Sequence, residues 1–316
     1  MIKIDVLTYC TGYPYEVYER FVGSLIDTGY TGNIYIFCAP RDDEILQKIS
    51  KNFPSVIPYV DVRFGEKGTR LCNHRFVVYK KFLESIKING DYLLLCDSRD
   101  VLFQKNIEQY EYDTNNDIYV FEESKLIKDD ETNTRWLKSL EEILNIKFYE
   151  DIKHNKILCC GTTVGKVDKI KEYVTKQCEI IEILKRIKSM DNLDQGIHNL
   201  LFYTNRINKV KYMNNKDGLV NTMELNLARS KNISLVNKDN QIVTYDNLVS
   251  YIVHQYDRMH IDNKKKLSTK YDFTVYYTNY DDNGACIPEI QEPDYKLKYY
   301  KLLADYNKLL ESIKSK

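Results

Sequence analysis

No apolar stretch in this sequence is long enough to cross a membrane: its longest runs are of the YLLLC kind, far below the roughly 20 residues a helical span needs. It also lacks an excess of charge. Forty-six Lys and Arg balance forty-six Asp and Glu, so no net positive field exists to hold a nucleic acid backbone or an anionic lipid surface. The opening MIKIDVLTY has no basic segment leading into an apolar one and no small-residue cleavage site; it reads as a first strand, and a cytoplasmic location is expected. The eight cysteines form no C-x-x-C pair and fall mostly in apolar segments, as reduced core thiols do. G-x-G-x-x-G, G-x-x-x-x-G-K-S/T, H-E-x-x-H and G-x-S-x-G are absent, which argues against a dinucleotide oxidoreductase, a P-loop ATPase, a zincin and a serine hydrolase.

What the chain does have is length and alternation. Its 316 residues suffice for one large α/β domain with a sizeable core. IKIDVLTY precedes a helix opened by Pro14 and running to about Asp27, and NIYIFC follows as a second strand. SVIPYVDV is a third strand. After it, Cys72, Phe76, Tyr79, Leu83 and Ile86 fall on one face of a helix. The run YLLLC is apolar throughout, the mark of a central strand covered on both faces. DIYVF, ILCCGTTVG, KVKYM and LVSYIVHQY are later strand candidates, with helices at Trp136–Leu144, Lys169–Ile187 and Leu193–Tyr203. No repeat, linker or break in composition precedes residue 285. One domain over 1–290 is expected, with a mostly parallel sheet flanked by helices. Residues 291–316 are expected to form an amphipathic helix with Tyr299, Leu302, Leu303, Tyr306, Leu309, Leu310 and Ile313 on one stripe, docked on its own domain or pairing two copies of the chain.

The stretch DYLLLCDSRDVLFQ raises the functional question. In an open α/β sheet, ligands bind beyond the carboxyl ends of central strands, and Asp97 and Asp100 stand at such an end. Three apart, they meet only if the chain turns at about Asp97. Converging carboxylates repel unless a proton or cation lies between them, and a divalent ion is the common remedy. The plainer reading is that Arg99 pairs with one aspartate while the other caps the turn.

DSRDVLFQ, followed by DQGIHN at Asp194–Asn199 and VHQYDR at Val253–Arg258, resembles one group of nucleotide-sugar-dependent glycosyltransferases of the GT-A fold. The three motifs span about half the chain. One departure stands out, since the widespread pattern sets its acids two apart rather than three. The resemblance implies a GT-A-like, Rossmann-like fold with a C-terminal helical tail. It also implies a retaining hexosyltransferase of glycan biosynthesis, moving a sugar from a UDP-sugar to a hydroxyl acceptor such as a glycan. The rival readings are a metal-dependent nucleotidyltransferase or phosphoesterase, and a sugar-nucleotide-binding protein without turnover.

By the same resemblance, Asp97, Asp100 and His254 hold Mn²⁺ or Mg²⁺ on the donor diphosphate, and Thr8, Tyr9, Cys10, Asp97, Ser98 and Arg99 line the nucleotide. Tyr9 could stack on the base. Arg75, with Arg70 nearby, offers a bidentate cation to the diphosphate unless it lies on a solvated helix face. Asp257 and Arg258 are placed to orient His254, and a histidine satisfied by local backbone is the alternative. Asp194 and Gln195 occupy the sugar and acceptor side, where Asp194 is general base, electrostatic support or only a helix cap. Gly161 permits close approach of a ligand, and Cys159 and Cys160 belong to the core rather than to catalysis.

Overall fold

Side chains alternate between the two faces of a strand, and in the centre of this fold both faces are covered. In β1 (Ile4–Tyr9) and β4 (Tyr92–Cys96), Leu7, Tyr9, Leu93 and Leu95 enter one core while Ile4, Val6, Tyr92, Leu94 and Cys96 enter another. That is why YLLLC carries no polar residue. The computed structural model describes residues 2–63, 71–187, 193–223, 234–267 and 270–271. Arg70, Cys286 and the helix expected over 291–316 lie outside the described residues.

With β2 (Ile34–Cys38), β3 (Val56–Val60), β6 (Ile118–Leu126), β7 (Lys156–Lys166) and β8 (Val210–Met213), these strands form a seven-stranded sheet in the order β3-β2-β1-β4-β7-β6-β8. Every pairing is parallel except those of β7, which runs against β4 and β6. Strand direction leaves no trace in hydrophobic periodicity, so this reversal was not legible in the sequence. It matters for the site. Cys96, the end of β4, pairs with Thr162, so the earlier residues of β7 extend past β4 and wall the space beyond it.

Helices α1 (Tyr15–Asp27) and α2 (Asp43–Asn52) send Tyr18, Phe21, Val22, Leu25, Leu46 and Ile49 into one core. The other core takes residues from α3 (Leu71–Ser85), α4 (Glu131–Leu144), α6 (Val167–Arg186) and α7 (Asp194–Tyr203), while the short α5 (Tyr149–Ile152) closes its rim. The stripe expected on α3 is present: Phe76, Tyr79 and Leu83 are buried and Cys72 and Ile86 half-buried. The seven described cysteines are free thiols, six of them buried.

LVSYIVHQY departs from expectation. Only Ile252–His254 is a strand, β10, and it joins a separate three-stranded sheet between β5 (Val101–Phe103) and β9 (Val220–Thr222). Two local features shorten it. The side chain of Gln104 donates to the carbonyls of Ile242 and Ser250 and that of Lys105 to Val249, holding the approach as irregular backbone. Gln255 then takes a left-handed conformation, φ 65°, which ends the strand.

His198 of α7 is fully buried between Tyr173 and Phe202. Its Nδ1 shares a 2.7 Å hydrogen bond with the Tyr173 hydroxyl and its Nε2 has no partner. Burial, with Arg75 adding, pushes its pKa down to about 3. An unfolded imidazole takes its proton near pH 6.5. Between about 6.5 and 3 the unfolded state therefore binds more protons, and stability is lost as pH falls, by up to about 1.4 kcal/mol per unit from this group. Urea titrations between pH 7 and 4 should show a shallower loss for His198→Asn than for the parent; identical slopes would refute a neutral buried His198.

Candidate active site

The chain turns after Cys96, as convergence of the acids requires. The Asp97 amide donates to the Gly161 carbonyl of β7 at 2.8 Å, and β5 begins four residues later. Asp97, Asp100 and His254 come together, each offering one ligand atom within 4.8 Å of the others. This is the one group of its kind among the described residues.

Each aspartate divides its two oxygens. Asp97 gives Oδ1 to the Arg75 guanidinium and turns Oδ2 to His254 Nε2, 3.7 Å away. Asp100 gives Oδ2 to Arg99 at 3.1 Å and turns Oδ1 to the same Nε2, 3.8 Å away. The gaps are too long for hydrogen bonds. They suit three ligands around one ion. The Asp97 side chain is 35% exposed, against 6% and 2% for Asp100 and His254, so the site opens past Asp97.

The environment favours positive charge between these groups. Burial opposes ionisation of Asp97, yet Arg75 and His254 outweigh it and hold the carboxyl below the usual carboxylate range. Asp100 is pushed up, chiefly by burial, with Asp257 adding and Arg99 opposing. Burial disfavours a charged His254, but Cys159, Asp100 and Asp97 outweigh it and raise its pKa.

Both arginines reach a second carboxylate: Arg75 contacts Asp194 at 2.9 Å and Arg99 contacts Asp257 at 3.0 Å. With His254 neutral and the acids ionised, as ligands to an ion must be, four carboxylates around two guanidiniums leave two negative charges, the match for a dication. Arg75 is thus a half-buried bridge, not part of a solvated face, and its guanidinium already serves two acids. Asp194 is the first residue of α7, after an N-cap position held by Leu193, and stands as the acid of the helix's first turn. Its carboxylate is the ion-pair partner of Arg75.

The third motif locks onto the first. His254 pairs with Val101, the Gln255 amide donates to the Asp100 carbonyl at 2.7 Å, and the Tyr256 hydroxyl donates to the Arg99 carbonyl at 2.8 Å. Asp257 therefore serves Arg99 and does not orient His254. That task falls to Cys159, whose Sγ lies 3.4 Å from His254 Nδ1. A second group bonded at the far ring nitrogen is how ligating histidines are held. Gly161 is explained by the same crowding: a Cβ there would overlap His254 Cε1 and lie 2.6 Å from Nε2 and 2.8 Å from Asp97 Oδ2.

The remaining expected residues are placed as follows. Gln195 accepts from the Cys160 amide at 3.4 Å and donates to Asn133 Oδ1 at 3.0 Å, docking α7 between β7 and α4. Thr8 is buried and donates to the Cys96 carbonyl; Cys10 is buried, its thiol pushed up to about 12 by burial above all. The Tyr9 ring stacks loosely on Phe37 and its hydroxyl donates to Asp61, which also bonds His74 at 2.5 Å. Ser98 donates to the Tyr9 carbonyl at 3.4 Å. Two neighbours escaped sequence reasoning. Cys159 looked like core, and Glu123, inside β6, has its carboxyl pushed up by burial while Arg258, His254 and Cys159 act against that. Neither carries a local pattern that marks it.

No protein-family model and no curated protein sequence matches the chain. Solved structures do. The galactosyltransferase LgtC, in complex with donor and acceptor sugar analogues, matches with a TM-score of 0.51 and 14% identity, over 79% of this chain and 86% of that one. The fold is GT-A-like. An active-site mutant of LgtC, glutamine to glutamate, matches with a TM-score of 0.52, 14% identity and the same coverage.

Gly161→Ala should separate the ion site from the fold. The added methyl must displace His254 or Asp97, at a cost of about 1–3 kcal/mol. Thermal melts with and without Mn²⁺ should show a modestly less stable protein that gains no stability from the ion. Retention of the parent's Mn²⁺-dependent shift would show that the close approach at Gly161 is not needed.

Proposed function

We propose that this protein is a metal-dependent glycosyltransferase that moves a sugar from a nucleoside diphosphate donor, a UDP-sugar, to a hydroxyl of a glycan. The observation that carries this reading is the convergence of Asp97 Oδ2, Asp100 Oδ1 and His254 Nε2 beyond the carboxyl end of β4. The likeness of fold to a galactosyltransferase supports it. Two carboxylate oxygens and an imidazole fit Mn²⁺ or Mg²⁺, the nitrogen favouring Mn²⁺. Gly161 keeps free the space that a Cβ would fill.

When bound, a divalent cation supplies Lewis-acid stabilisation of the charge that collects on a leaving diphosphate. The chain's own residues prepare for this. Arg75 and Arg99 hold Asp97 and Asp100 by one oxygen each, fixing the direction of the other. Cys159 fixes the ring of His254. Asp97, the most exposed of the three, faces the open side from which a donor enters.

Asp194 lies across Arg75 from Asp97. A carboxylate already paired with arginine is suited to support a positively charged, oxocarbenium-like sugar without taking a proton, and this supports retention of anomeric configuration. A phosphoesterase or nucleotidyltransferase using two metals calls for a second acidic cluster, and the described residues hold one cluster.

Incubation with a panel of nucleotide sugars should yield nucleoside diphosphate and free or transferred sugar, dependent on Mn²⁺ or Mg²⁺. Asp100→Ala should lose ~10²-fold or more of this activity, roughly 3 kcal/mol of transition-state stabilisation, and His254→Ala should weaken the Mn²⁺ titration more than donor affinity at saturating Mn²⁺. Nucleoside monophosphate as product, or full turnover in excess EDTA, would overturn the reading.

Asp194 has its own test. NMR of the first-formed anomer should show retention, and Asp194→Asn, which removes the charge, should slow transfer by ~10²–10³-fold. Near-normal transfer in that variant would reduce Asp194 to an anchor for Arg75.

A further inference from the structure

Leu193, the residue before Asp194, lines a cavity of about 620 Å³ whose other wall is α4, with Trp136, Arg135 and Lys138 among its lining residues. A second cavity of about 500 Å³ shares Lys138 and Glu142 with the first and continues to Phe148 and Tyr149. Lys138 and Glu142 line both, so the two cavities adjoin along one groove-like flank of α4, a helix of 14 residues, about 21 Å long at 1.5 Å per residue. That length suits a chain of several sugars better than a single one.

The lining has the chemistry of carbohydrate recognition. Trp136 is the sole tryptophan of the sequence and half-buried, an apolar body with a polar N–H. Ser139 adds a hydroxyl beside it, whereas that of Thr134 already donates to the Ile127 carbonyl at 3.0 Å. In the nearer cavity Glu131 and Glu142 balance Arg135 and Lys138, so the polar groups can meet many hydroxyls without demanding a charge. The far cavity adds Glu141, Glu150 and Asp151 against a single further cation, Lys147, an acidic excess that disfavours an anionic ligand.

The groove is also tied to the candidate site. A Cβ on Gly196 would lie 3.2 Å from Trp136 Cβ, so the glycine lets α4 and α7 close on each other. The bond from Gln195 to Asn133 fixes their relation. A chain bound along α4 is therefore held at a set distance from Asp194.

We propose that this groove binds a neutral oligosaccharide, with its Leu193 end toward the site; that the bound chain is the acceptor rests on the glycosyltransferase reading, whereas the binding itself does not. With one tryptophan in the protein, its emission reports on the groove alone. The full chain is titrated with neutral oligosaccharides from disaccharide to hexasaccharide, their uronate-bearing counterparts, and Ser/Thr-rich peptides. A saturable change with neutral oligosaccharides is expected, weakened about tenfold or more in the double variant Arg135→Ala/Lys138→Ala. Both side chains are exposed, so the variant should melt as the parent does. No response to any oligosaccharide, a response to peptides only, or affinity unchanged in the double variant overturns the proposal. Oligosaccharide binding without cleavage of any nucleotide sugar would leave the groove standing and remove the transferase reading; donor cleavage without such binding does the reverse.

Discussion

Two carboxylate oxygens within 4.8 Å of each other at a partly buried site repel by roughly 3 kcal/mol or more, and the rest of the site depends on how that repulsion is met. Arg75 takes one oxygen of Asp97 and Arg99 one oxygen of Asp100, leaving a single oxygen of each to face His254. Neither arginine acts alone. Each is itself held by another acid, Asp194 or Asp257, so that α3, α7 and the 3-10 turn after β10 are all drawn to the same few ångströms. The pairs are not equally strong contributors to stability, because Arg99 and Asp97 are about one-third exposed and partly screened. Their effect on direction is the same in both cases.

This arrangement answers why a buried strand ends in Asp-Ser-Arg-Asp. Asp97 lies beside β7, Arg99 reaches the Asp257 carboxylate, and Asp100 accepts the Gln255 amide through its carbonyl while its side chain faces His254. VLF then pairs with IVH. The short second sheet, with its own small core around Leu102, Val253 and Tyr256, is what carries His254, 154 positions after Asp100, back to the acidic turn.

Much of this was legible because it follows from local pattern. The apolar run of β4, the 3–4 spacing on α3 and the alternation of strand and helix each correspond to an observed element, and the acids met where a turn after Cys96 would bring them. What stayed hidden is relational. That Arg75 answers to Asp97 and Asp194 together, across 22 and 119 positions, has no signature in spacing. Gln195 was read for chemistry because it adjoins Asp194, but a side-chain amide at that place satisfies the backbone left open where β7 and β6 shift register near Phe121. Cys159 escaped because a buried thiol beside an imidazole reads, in sequence, like any other core cysteine.

The reversed course of β7 gives the site an unusual mechanical status. Its C-terminal half is clamped on both sides by β4 and β6, while Cys159, Cys160 and Gly161 overhang the end of β4 and touch His254, Arg75 and Asp97. The overhang has lost β4 but is braced elsewhere: Cys159 pairs with Phe121 of β6, Gln195 accepts the Cys160 amide, and the Gly161 carbonyl accepts the Asp97 amide. Because the β4–β7 ladder leads directly into that last bond, a slip of two residues in the β4–β7 register would preserve inward and outward faces yet carry the wall about 7 Å past the acids. The geometry of the site and the register of the sheet are thus one degree of freedom, and the ion site can hold its shape only while the middle of the sheet does.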